Sequence, residues 1–259
     1  MPNITQPSTA PVKVLGVIPA RLASSRLPRK VLRPLLGEPL LVWVHHAAAA
    51  CLQLERIIIA ADSEEVMALC AARGFDAILT SPDLPSGSDR LFAVAQQIPA
   101  EIYVNIQGDE PLLEPEHISA LLAPFALPHV EVTTLKVRCA PAEINNPNAV
   151  KVVTAPDDHA LYFSRATIPF HRDSEESLIY YKHLGLYAYR RSALERFAAL
   201  APTPLELAER LEQLRLLENN ISIYVTETPH DTIGVDTEED LARVEAIIKS
   251  RIKQELSPR

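Results

Sequence analysis

Along its first half, the chain alternates between short apolar runs and longer segments in which apolar residues recur at helical spacing. Four runs are almost entirely apolar, as is typical of strands that are covered on both faces of a parallel sheet. They span residues 12–18, 56–60, 76–80 and 102–106. Helices are predicted after each of these strands, so the pattern indicates an α/β domain with a mainly parallel sheet.

The pattern changes between residues 131 and 190, where four runs are typical of strands and no long helix separates them. We interpret this stretch as an inserted, largely antiparallel β subdomain. Helices return over residues 192–200 and 205–218, a strand follows over 221–227, and the last helix begins near Thr237. The chain thus divides into a loose N-terminal tail, an α/β part, the insertion and a return to the α/β part. These segments span residues 1–11, 12–130, 131–190 and 191–256.

The distribution of charge adds a local feature to this picture. The formal net charge is -8, yet residues 1–37 contain no Asp or Glu, and five of the 25 Lys and Arg residues fall between Arg21 and Arg33. An acidic chain lacks the basic footprint of proteins that bind nucleic acid, so no nucleic-acid partner is expected. A positive site inside an acidic protein indicates a small anionic ligand.

Composition also argues against several other classes of protein. No apolar run reaches the roughly 18 residues that cross a bilayer, and the polar N-terminal residues do not resemble a signal peptide. The three cysteines are far apart and form no CxxC pair. We therefore expect buried thiols in a reducing cytoplasm, and no membrane partner.

The basic loop "VIPARLASSRLPRK" begins where the first strand ends. A strand that leads through a loop into a helix suits phosphate binding, because loop amides and the helix N-terminus point at the anion. The loop has neither GxGxxG nor GxxxxGK[ST], which disfavours a nicotinamide-dependent oxidoreductase and a Walker NTPase. Side chains must supply the positive charge instead. The candidates are Arg21, Arg26 and Lys30, with Ser24 and Ser25 as helpers.

Two carboxylates are candidates for holding a metal near such a phosphate. Asp109 follows the fourth strand in "NIQGDEP", and Asp236 precedes the last helix in "GVDTEEDL". Mg²⁺ typically takes one or two protein carboxylates and fills its other positions with water and phosphate oxygens. Together with the basic loop, the pair suits nucleotidyl transfer by in-line displacement. An ordinary turn at Asp109 and a helix cap at Asp236 remain open at this point.

Other polar residues stand in the second half of the chain. "YKHLGLYAYR" has His183 and Tyr187 in an apolar strand, and "LEQLR" has Glu212 and Gln213 on a predicted helix. From these residues alone, a core histidine and an exposed helix face are the default interpretations.

Taken together, these segments resemble the 3-deoxy-manno-octulosonate cytidylyltransferases, also called CMP-Kdo synthetases. Eight segments occur in the family's order between residues 14 and 245. They are "VIPARLASSRLPRK", "SGSDR", "VNIQGDEP", "NPNAVKVV", "ALYFSRATIP", "HLGLYAYR", "LEQLRLLE" and "GVDTEEDL". The resemblance implies a cytoplasmic enzyme that joins CTP and 3-deoxy-D-manno-octulosonate (Kdo) to give CMP-Kdo and pyrophosphate for lipopolysaccharide synthesis. It also implies Mg²⁺, a Rossmann-like nucleotidyltransferase sheet, and a homodimer built through the inserted β region.

The resemblance also implies roles for individual residues. On the nucleotide side, Arg21 and Lys30 contact the CTP phosphates, Arg26 is a third contact, and Asp109 and Asp236 hold magnesium. Catalysis is expected from Lys30, Arg21, Asp109 and Asp236. The cytosine pocket is expected at Ser86, Gly87 and Ser88, with Gln107 near the nucleotide or the sugar. The residues expected around Kdo are Arg165, His183, Tyr187, Glu212 and Gln213, of which Arg165 would bind the sugar's carboxylate.

The sequence departs from the family pattern in two places, and two alternatives remain open. Arg29 stands where the family usually has Gly, and Leu84 and Pro85 stand where it commonly has His before an "SGT" element, in which Ser88 replaces Thr. The substrate sugar could be another acidic sugar, such as sialic acid or an 8-amino analogue of Kdo. A non-catalytic nucleotide-binding module is the more distant alternative, and the presence of both aspartates argues against it.

Overall fold

A computed structural model describes residues 11–24, 26–172 and 178–255, with the backbone alone at Glu255. Among the predicted site residues, Ser25 lies outside the described residues, as do residues 1–10 of the predicted N-terminal tail. Among the described residues, no helix has both the length and the apolar character that a membrane crossing requires.

The described residues form two compact units. The first contains those within Met1–Ala100, Asn105–Pro115 and Thr232–Arg259, and the second contains Glu101–Val104 and Glu116–Asp231. In chain order the elements are β1 (Val12–Ala20), a 3-10 helix (Lys30–Leu32), β2 (Pro34–Leu35), β3 (Glu38–Pro39), α1 (Leu40–Ala49), β4 (Arg56–Ala61), α2 (Glu64–Arg73), β5 (Ala77–Leu79), α3 (Gly87–Ala95), β6 (Ala100–Asn105), α4 (Pro115–Leu122), a 3-10 helix (Ala123–Ala126), β7 (Val132–Arg138), a 3-10 helix (Pro141–Glu143), β8 (Lys151–Thr154), β9 (Ala160–Ser164), β10 (Tyr181–Arg190), α5 (Arg191–Ala198), α6 (Pro204–Glu209), α7 (Leu214–Glu218), β11 (Tyr224–Glu227) and α8 (Glu238–Glu255).

The first unit contains parallel strands whose residues are apolar on both faces. β1 pairs with β4, and β4 pairs with β5, each in parallel register, with Val17 opposite Ile58 and Ala60 opposite Ile78. The centre of each strand is buried, as the continuous apolar runs predicted. The predicted α/β fold with parallel strands is confirmed, and β1 extends two residues further than predicted, to Ala20.

The second unit contains the predicted antiparallel strands. The order is β11, β7, β10 and β6, with β8 paired to β10 and β9 paired to β8. The pairs β10–β7, β10–β8 and β8–β9 are antiparallel, and β11 is parallel to β7. The largely antiparallel character predicted for this region is therefore confirmed.

One predicted helix is wrong in its length. The helix predicted over residues 205–218 is two short helices, α6 and α7. Arg210 has a left-handed backbone, with φ of 55°, and ends α6. Since its side chain is compatible with a helix, the break could not be read from helical spacing.

The boundaries of the two compact units differ from those of the segments that were predicted from the sequence. Residues 191–231 lie in the second unit, because α5 follows directly on β10 and β11 pairs with β7. The functional division at residues 131 and 190 stays a prediction.

A core cluster in the first unit joins the segments that carry the candidate site. Leu27 of the basic loop packs in one cluster with Leu112, which follows Asp109, and with Val235, which precedes Asp236. All three are buried. Burying a side chain of this size contributes about 1.5–3 kcal/mol, so apolar packing holds three distant segments at one place.

Candidate active site

The basic loop connects β1 to the 3-10 helix that begins at Lys30. Its start is fixed by Asp62, whose two oxygens accept from the backbone N–H of Leu22 at 3.1 and 3.3 Å. One guanidinium nitrogen of Arg21 donates to the carbonyl of Pro85 at 3.0 Å. The loop is therefore held to neighbouring segments of the first unit at its beginning, and through Leu27 in its middle.

Lys30 brings the two candidate carboxylates together. Its ammonium donates to Asp236 Oδ1 at 2.8 Å and forms a second short ion pair with Asp109. Arg26 donates to the other oxygen of Asp236, also at 2.8 Å. Only 15% of the Lys30 side chain is exposed, whereas the Arg26 side chain is mostly exposed. Two predicted phosphate ligands and two predicted metal ligands thus form one connected cluster.

The cluster affects the protonation of Lys30. Burial alone would lower the pKa of this ammonium, but the charge and hydrogen bonds of Asp109 and Asp236 together raise the pKa above its ordinary value. Lys30 is therefore a fixed positive charge at neutral pH.

The backbone around Asp109 explains why glycine precedes it. A Cβ on Gly108 would lie 2.5 Å from the carbonyl oxygen of Pro19 in β1, closer than side-chain atoms can approach. The carbonyl of Asp109 in turn accepts from the backbone N–H of Val235 at 2.9 Å. This close approach aligns the chain before Asp236 with the chain after β6.

Asp236 is not the cap of the last helix. Thr237 and Asp240 form a capping box, in which Asp240 N–H donates to Thr237 Oγ1 at 3.2 Å and Thr237 N–H donates to Asp240 at 3.0 Å. Since Thr237 performs that function, the Asp236 carboxylate is available to Lys30 and Arg26.

The donor set at this cluster suits magnesium. Among the described residues no group of three or more His, Cys, Asp and Glu side chains could hold a metal ion. Asp109 and Asp236 are two, which is the number of carboxylates that Mg²⁺ commonly takes when phosphate oxygens and water complete its shell. Magnesium binding here stays a prediction.

The residues predicted for the cytosine pocket lie at the N-terminus of α3. Ser86 caps this helix in a capping box with Asp89, each accepting from the other's backbone N–H at 3.1 Å. Ser88 is buried, and Gly87 and Gln107 are half-buried. Their contact with a base stays a prediction.

Asn105, at the end of β6, was missed from the sequence. It is 3% exposed, its side chain lies beside Gly87, and its Oδ1 accepts no hydrogen bond from any described residue. A buried acceptor of this kind is rare and marks a place for a polar ligand or water. Its position directly before "IQGD" was the only feature of the sequence that could have indicated it.

Arg29 occupies a backbone conformation that favours glycine. Its φ is 57° and its ψ is 35°, in the left-handed region. The side chain is exposed and forms an ion pair with Glu65 of α2. Arg29 therefore adopts a backbone shape that glycine adopts easily. For a residue with a Cβ, this conformation costs about 1–2 kcal/mol.

In the second unit, three of the predicted sugar ligands lie close together. His183 Nε2 lies 3.0 Å from Thr134 Oγ1, and its ring packs against Tyr187 with the ring centroids 5.4 Å apart. Burial raises the pKa of Tyr187 well above its ordinary value, and the charge of nearby Glu212 adds to this effect. His183 and Tyr187 both belong to β10, and Glu212, between α6 and α7, lies near Tyr187 although it comes from a separate segment.

Among the predicted sugar ligands, two buried polar atoms lack hydrogen-bond partners within the described residues. They are Tyr187 Oη and Gln213 Nε2. Leaving such a group unsatisfied costs about 1–3 kcal/mol, so the arrangement favours a polar ligand or water that bonds to them. Both residues were predicted around the sugar, and that function stays a prediction.

Arg165 has a different environment from the one expected. Its guanidinium donates to three main-chain carbonyls, those of Glu209 at 2.8 Å, Pro147 at 3.0 Å and Arg210 at 3.5 Å. Its backbone N–H donates to the Glu209 carboxylate at 2.9 Å. Arg165 therefore holds the end of α6, and its predicted bond to a sugar carboxylate stays a prediction.

Comparisons with known proteins point to one family. A family model described as cytidylyltransferase matches residues 15–223. A relative from Acidobacterium capsulatum, named 3-deoxy-manno-octulosonate cytidylyltransferase, is 63% identical over 242 residues, which cover 93% of this chain and 99% of that protein. A relative of the same name from Koribacter versatilis is 51% identical over 253 residues, which cover 96% of this chain and 97% of that protein.

Two solved structures are similar to the chain. A CMP:2-keto-3-deoxy-manno-octonic acid synthetase complexed with CTP matches with a TM-score of 0.88 at 40% identity, covering 92% of this chain and 99% of that chain. A 4-diphosphocytidyl-2C-methyl-D-erythritol synthase from Anaerococcus prevotii matches with a TM-score of 0.62 at 12% identity, covering 92% and 98%. The second likeness concerns the fold alone.

We expect the left-handed backbone at Arg29 to separate two substitutions. Arg29→Gly and Arg29→Ala both remove the exposed ion pair with Glu65, which contributes about 0–1 kcal/mol. Only glycine also relieves the strain, so Arg29→Gly should be more stable than Arg29→Ala by about 1 kcal/mol in denaturant unfolding. Equal stability of the two variants would contradict the strained conformation.

The lowered pKa of His183 predicts that the stability of the fold depends on pH. Burial lowers the pKa of His183 to about 3 in the folded chain, whereas the unfolded value is about 6.5. The unfolded chain alone binds a proton between these values, so stability falls as the pH drops below about 6.5. From pH 7 to pH 5, His183 should lower the free energy of unfolding by about 2 kcal/mol. Over this pH range, the free energy of unfolding of His183→Phe should therefore fall by about 2 kcal/mol less than that of the unmodified chain. An equal fall in both proteins would contradict the lowered pKa of His183.

Proposed function

The chain belongs to the 3-deoxy-manno-octulosonate cytidylyltransferase family, and from this premise we propose how its residues perform the family's reaction. The enzyme joins CTP and Kdo to give CMP-Kdo and pyrophosphate. The observation that carries the proposal is the cluster in which Lys30, at the end of the basic loop, contacts both Asp109 and Asp236. It combines fixed positive charge with a carboxylate pair, as the transfer of a nucleotidyl group requires.

The reaction is a displacement at the α-phosphorus of CTP. The C2 hydroxyl oxygen of Kdo forms a bond to this phosphorus, the bond to the bridging oxygen of pyrophosphate breaks, and the hydroxyl proton leaves to solvent. No covalent intermediate with the enzyme is required. The enzyme's contribution is to hold two anionic substrates in line and to stabilise the charge that develops.

Arg21, Arg26 and Lys30 offset the negative charge of the triphosphate. Lys30 is the most strongly fixed of the three, because it is largely buried and held by two carboxylates. A charge that needs no reorientation during the reaction stabilises the transition state most effectively. We assign the charge on the α-phosphate and the leaving group to Lys30, and the outer phosphates to the more exposed Arg21 and Arg26.

Asp109 and Asp236 would hold Mg²⁺. When bound, the ion would neutralise phosphate charge next to Lys30. The carboxylates also orient the Lys30 ammonium directly.

The polar cluster of the second unit is assigned to the sugar. His183 is neutral at pH 7, since its pKa is lowered to about 3 by burial, and it can therefore donate or accept a hydrogen bond without carrying charge. Tyr187 and Gln213 each offer a buried polar group that no described residue satisfies. Neutral groups of this kind match the hydroxyls of a sugar.

The wider setting is part of the same proposal. A homodimer is supported by large apolar side chains exposed on the second unit, among them Phe170 at 86% and Leu161 at 62%. A cytoplasmic location is supported by Cys51, Cys70 and Cys139, which form no disulfide among the described residues. CMP-Kdo made there would supply Kdo for lipopolysaccharide.

Pyrophosphate release with CTP and a panel of acidic sugars tests the proposed function. Kdo should be turned over with the highest kcat/KM, ahead of its 8-amino analogue and sialic acid, and the reaction should require Mg²⁺. Asp109→Asn serves as the matched control, because it keeps the shape of the side chain but loses its charge. A higher kcat/KM for either of the other sugars would contradict the assignment of Kdo as the substrate.

A further inference from the structure

Arg90, in α3, is a fully buried cation outside the cluster described above. It is 0% exposed. One terminal nitrogen donates to Thr80 Oγ1 at 2.7 Å and to the carbonyl of Ser81 at 2.9 Å. The other donates to the carbonyls of Pro82 and Leu84 at 3.4 and 3.5 Å. The guanidinium thus gathers four oxygens of one short segment, which connects β5 to α3.

This position is costly for a charged group. Burial lowers the pKa of Arg90, and Asp62 opposes the effect with a carboxylate oxygen 3.9 Å away. That distance lies beyond a hydrogen bond, so Arg90 is neutralised only partly. A buried charge that is incompletely paired needs a reason beyond stability, because apolar residues of the same volume often stabilise a fold as well or better.

The held segment leads directly into the predicted base pocket. Residues 81–85 precede Ser86, which caps α3, and Gly87 and Ser88. Thr80 is itself fixed, since its N–H and its hydroxyl both donate to the carbonyl of Ala61 at 2.8 Å. Arg90 therefore anchors the loop before α3, which contains Pro82 and Pro85, to the end of β5.

The same arrangement reaches the phosphate side. Asp62 forms an ion pair with Arg90, and no other acidic side chain among the described residues does so. The Asp62 carboxylate also accepts from the backbone N–H of Leu22 at the start of the basic loop. Arg21 in that loop donates to the carbonyl of Pro85, the last residue before Ser86. The loop that precedes α3 and the basic loop are thus connected twice, through Asp62 and through Arg21.

Building on the proposed function, we propose that Arg90 is a positioning residue for CTP. It fixes residues 81–85, which place the predicted base ligands, and through Asp62 it sets the start of the basic loop that binds the phosphates. It touches neither substrate in this assignment. Its loss should therefore weaken binding of CTP while the sugar's KM and the folded structure change little.

A matched pair of substitutions tests this function. Arg90→Lys keeps the charge but loses the planar fork that reaches several carbonyls. Arg190→Lys is the control, because Arg190 also donates to loop carbonyls, those of Val130 at 2.8 Å and Phe125 at 2.9 Å, but in the second unit. The measurements are the Kd for CTP by calorimetry in magnesium buffer without Kdo, the KM for Kdo, and the melting temperature.

Arg90→Lys should raise the Kd for CTP roughly tenfold, which corresponds to the loss of one charge-assisted hydrogen bond. Its KM for Kdo should stay within about twofold of the unmodified value. Arg190→Lys should lower the melting temperature without changing the Kd for CTP. An unchanged Kd in Arg90→Lys, or an equal rise in both variants, would overturn the proposal in favour of a purely structural function.

A second variant decides the question if Arg90→Lys does not fold. Asp62→Asn leaves an oxygen to accept from Leu22 N–H but removes the charge that faces Arg90. The Kd for CTP should rise at least about threefold, and an unchanged Kd would overturn the proposal. Because CTP binding is measured without Kdo, a protein that binds CTP but releases no pyrophosphate with Kdo would contradict the proposed function and leave this inference standing.

Discussion

The ammonium of Lys30, shared between Asp109 and Asp236, is the interaction on which the candidate active site depends. It joins segments that lie 79 and 206 positions away from Lys30 along the chain. The Lys30 ammonium would be unfavourable without the two carboxylates, because only 15% of its side chain is exposed. Their attraction therefore fixes the end of the basic loop against the segments that carry Asp109 and Asp236, and the predicted phosphate ligands and the carboxylates come to lie at one place.

Backbone and apolar packing holds together the segments that carry this interaction. Gly108 allows the chain after β6 to approach β1, and the N–H of Val235 bonds to the carbonyl of Asp109. Leu27 then packs the basic loop onto the same segments. The side chains of Lys30 and Asp236 can meet because apolar packing aligns the backbone segments that carry them. Glycine is thus used here for close approach between two segments of the chain, and the basic loop contains none.

Sequence reasoning succeeded where the signal is local. Continuous apolar runs predicted β1 and β4. The positions of Asp109 after the fourth predicted strand and of Asp236 before the last helix indicated one shared site for the two carboxylates. It was incomplete where tertiary contacts decide. The left-handed Arg210 divides a predicted helix, although arginine is a good helix former. Arg165 donates to carbonyls that only the folded chain brings near it. Neither outcome follows from spacing or composition, because both depend on partners that are distant in sequence.

The most direct test of this account is a double-mutant cycle on the free energy of unfolding. Lys30→Met and Asp236→Asn are measured singly and together at pH 7, with Lys30→Met and Asp76→Asn as a control pair, since Asp76 pairs with Arg56 instead. The Lys30–Asp236 pair should show a coupling of about 1 kcal/mol, and the control pair should be additive. Additivity within about 0.3–0.5 kcal/mol for Lys30 and Asp236 would contradict the central place of this interaction.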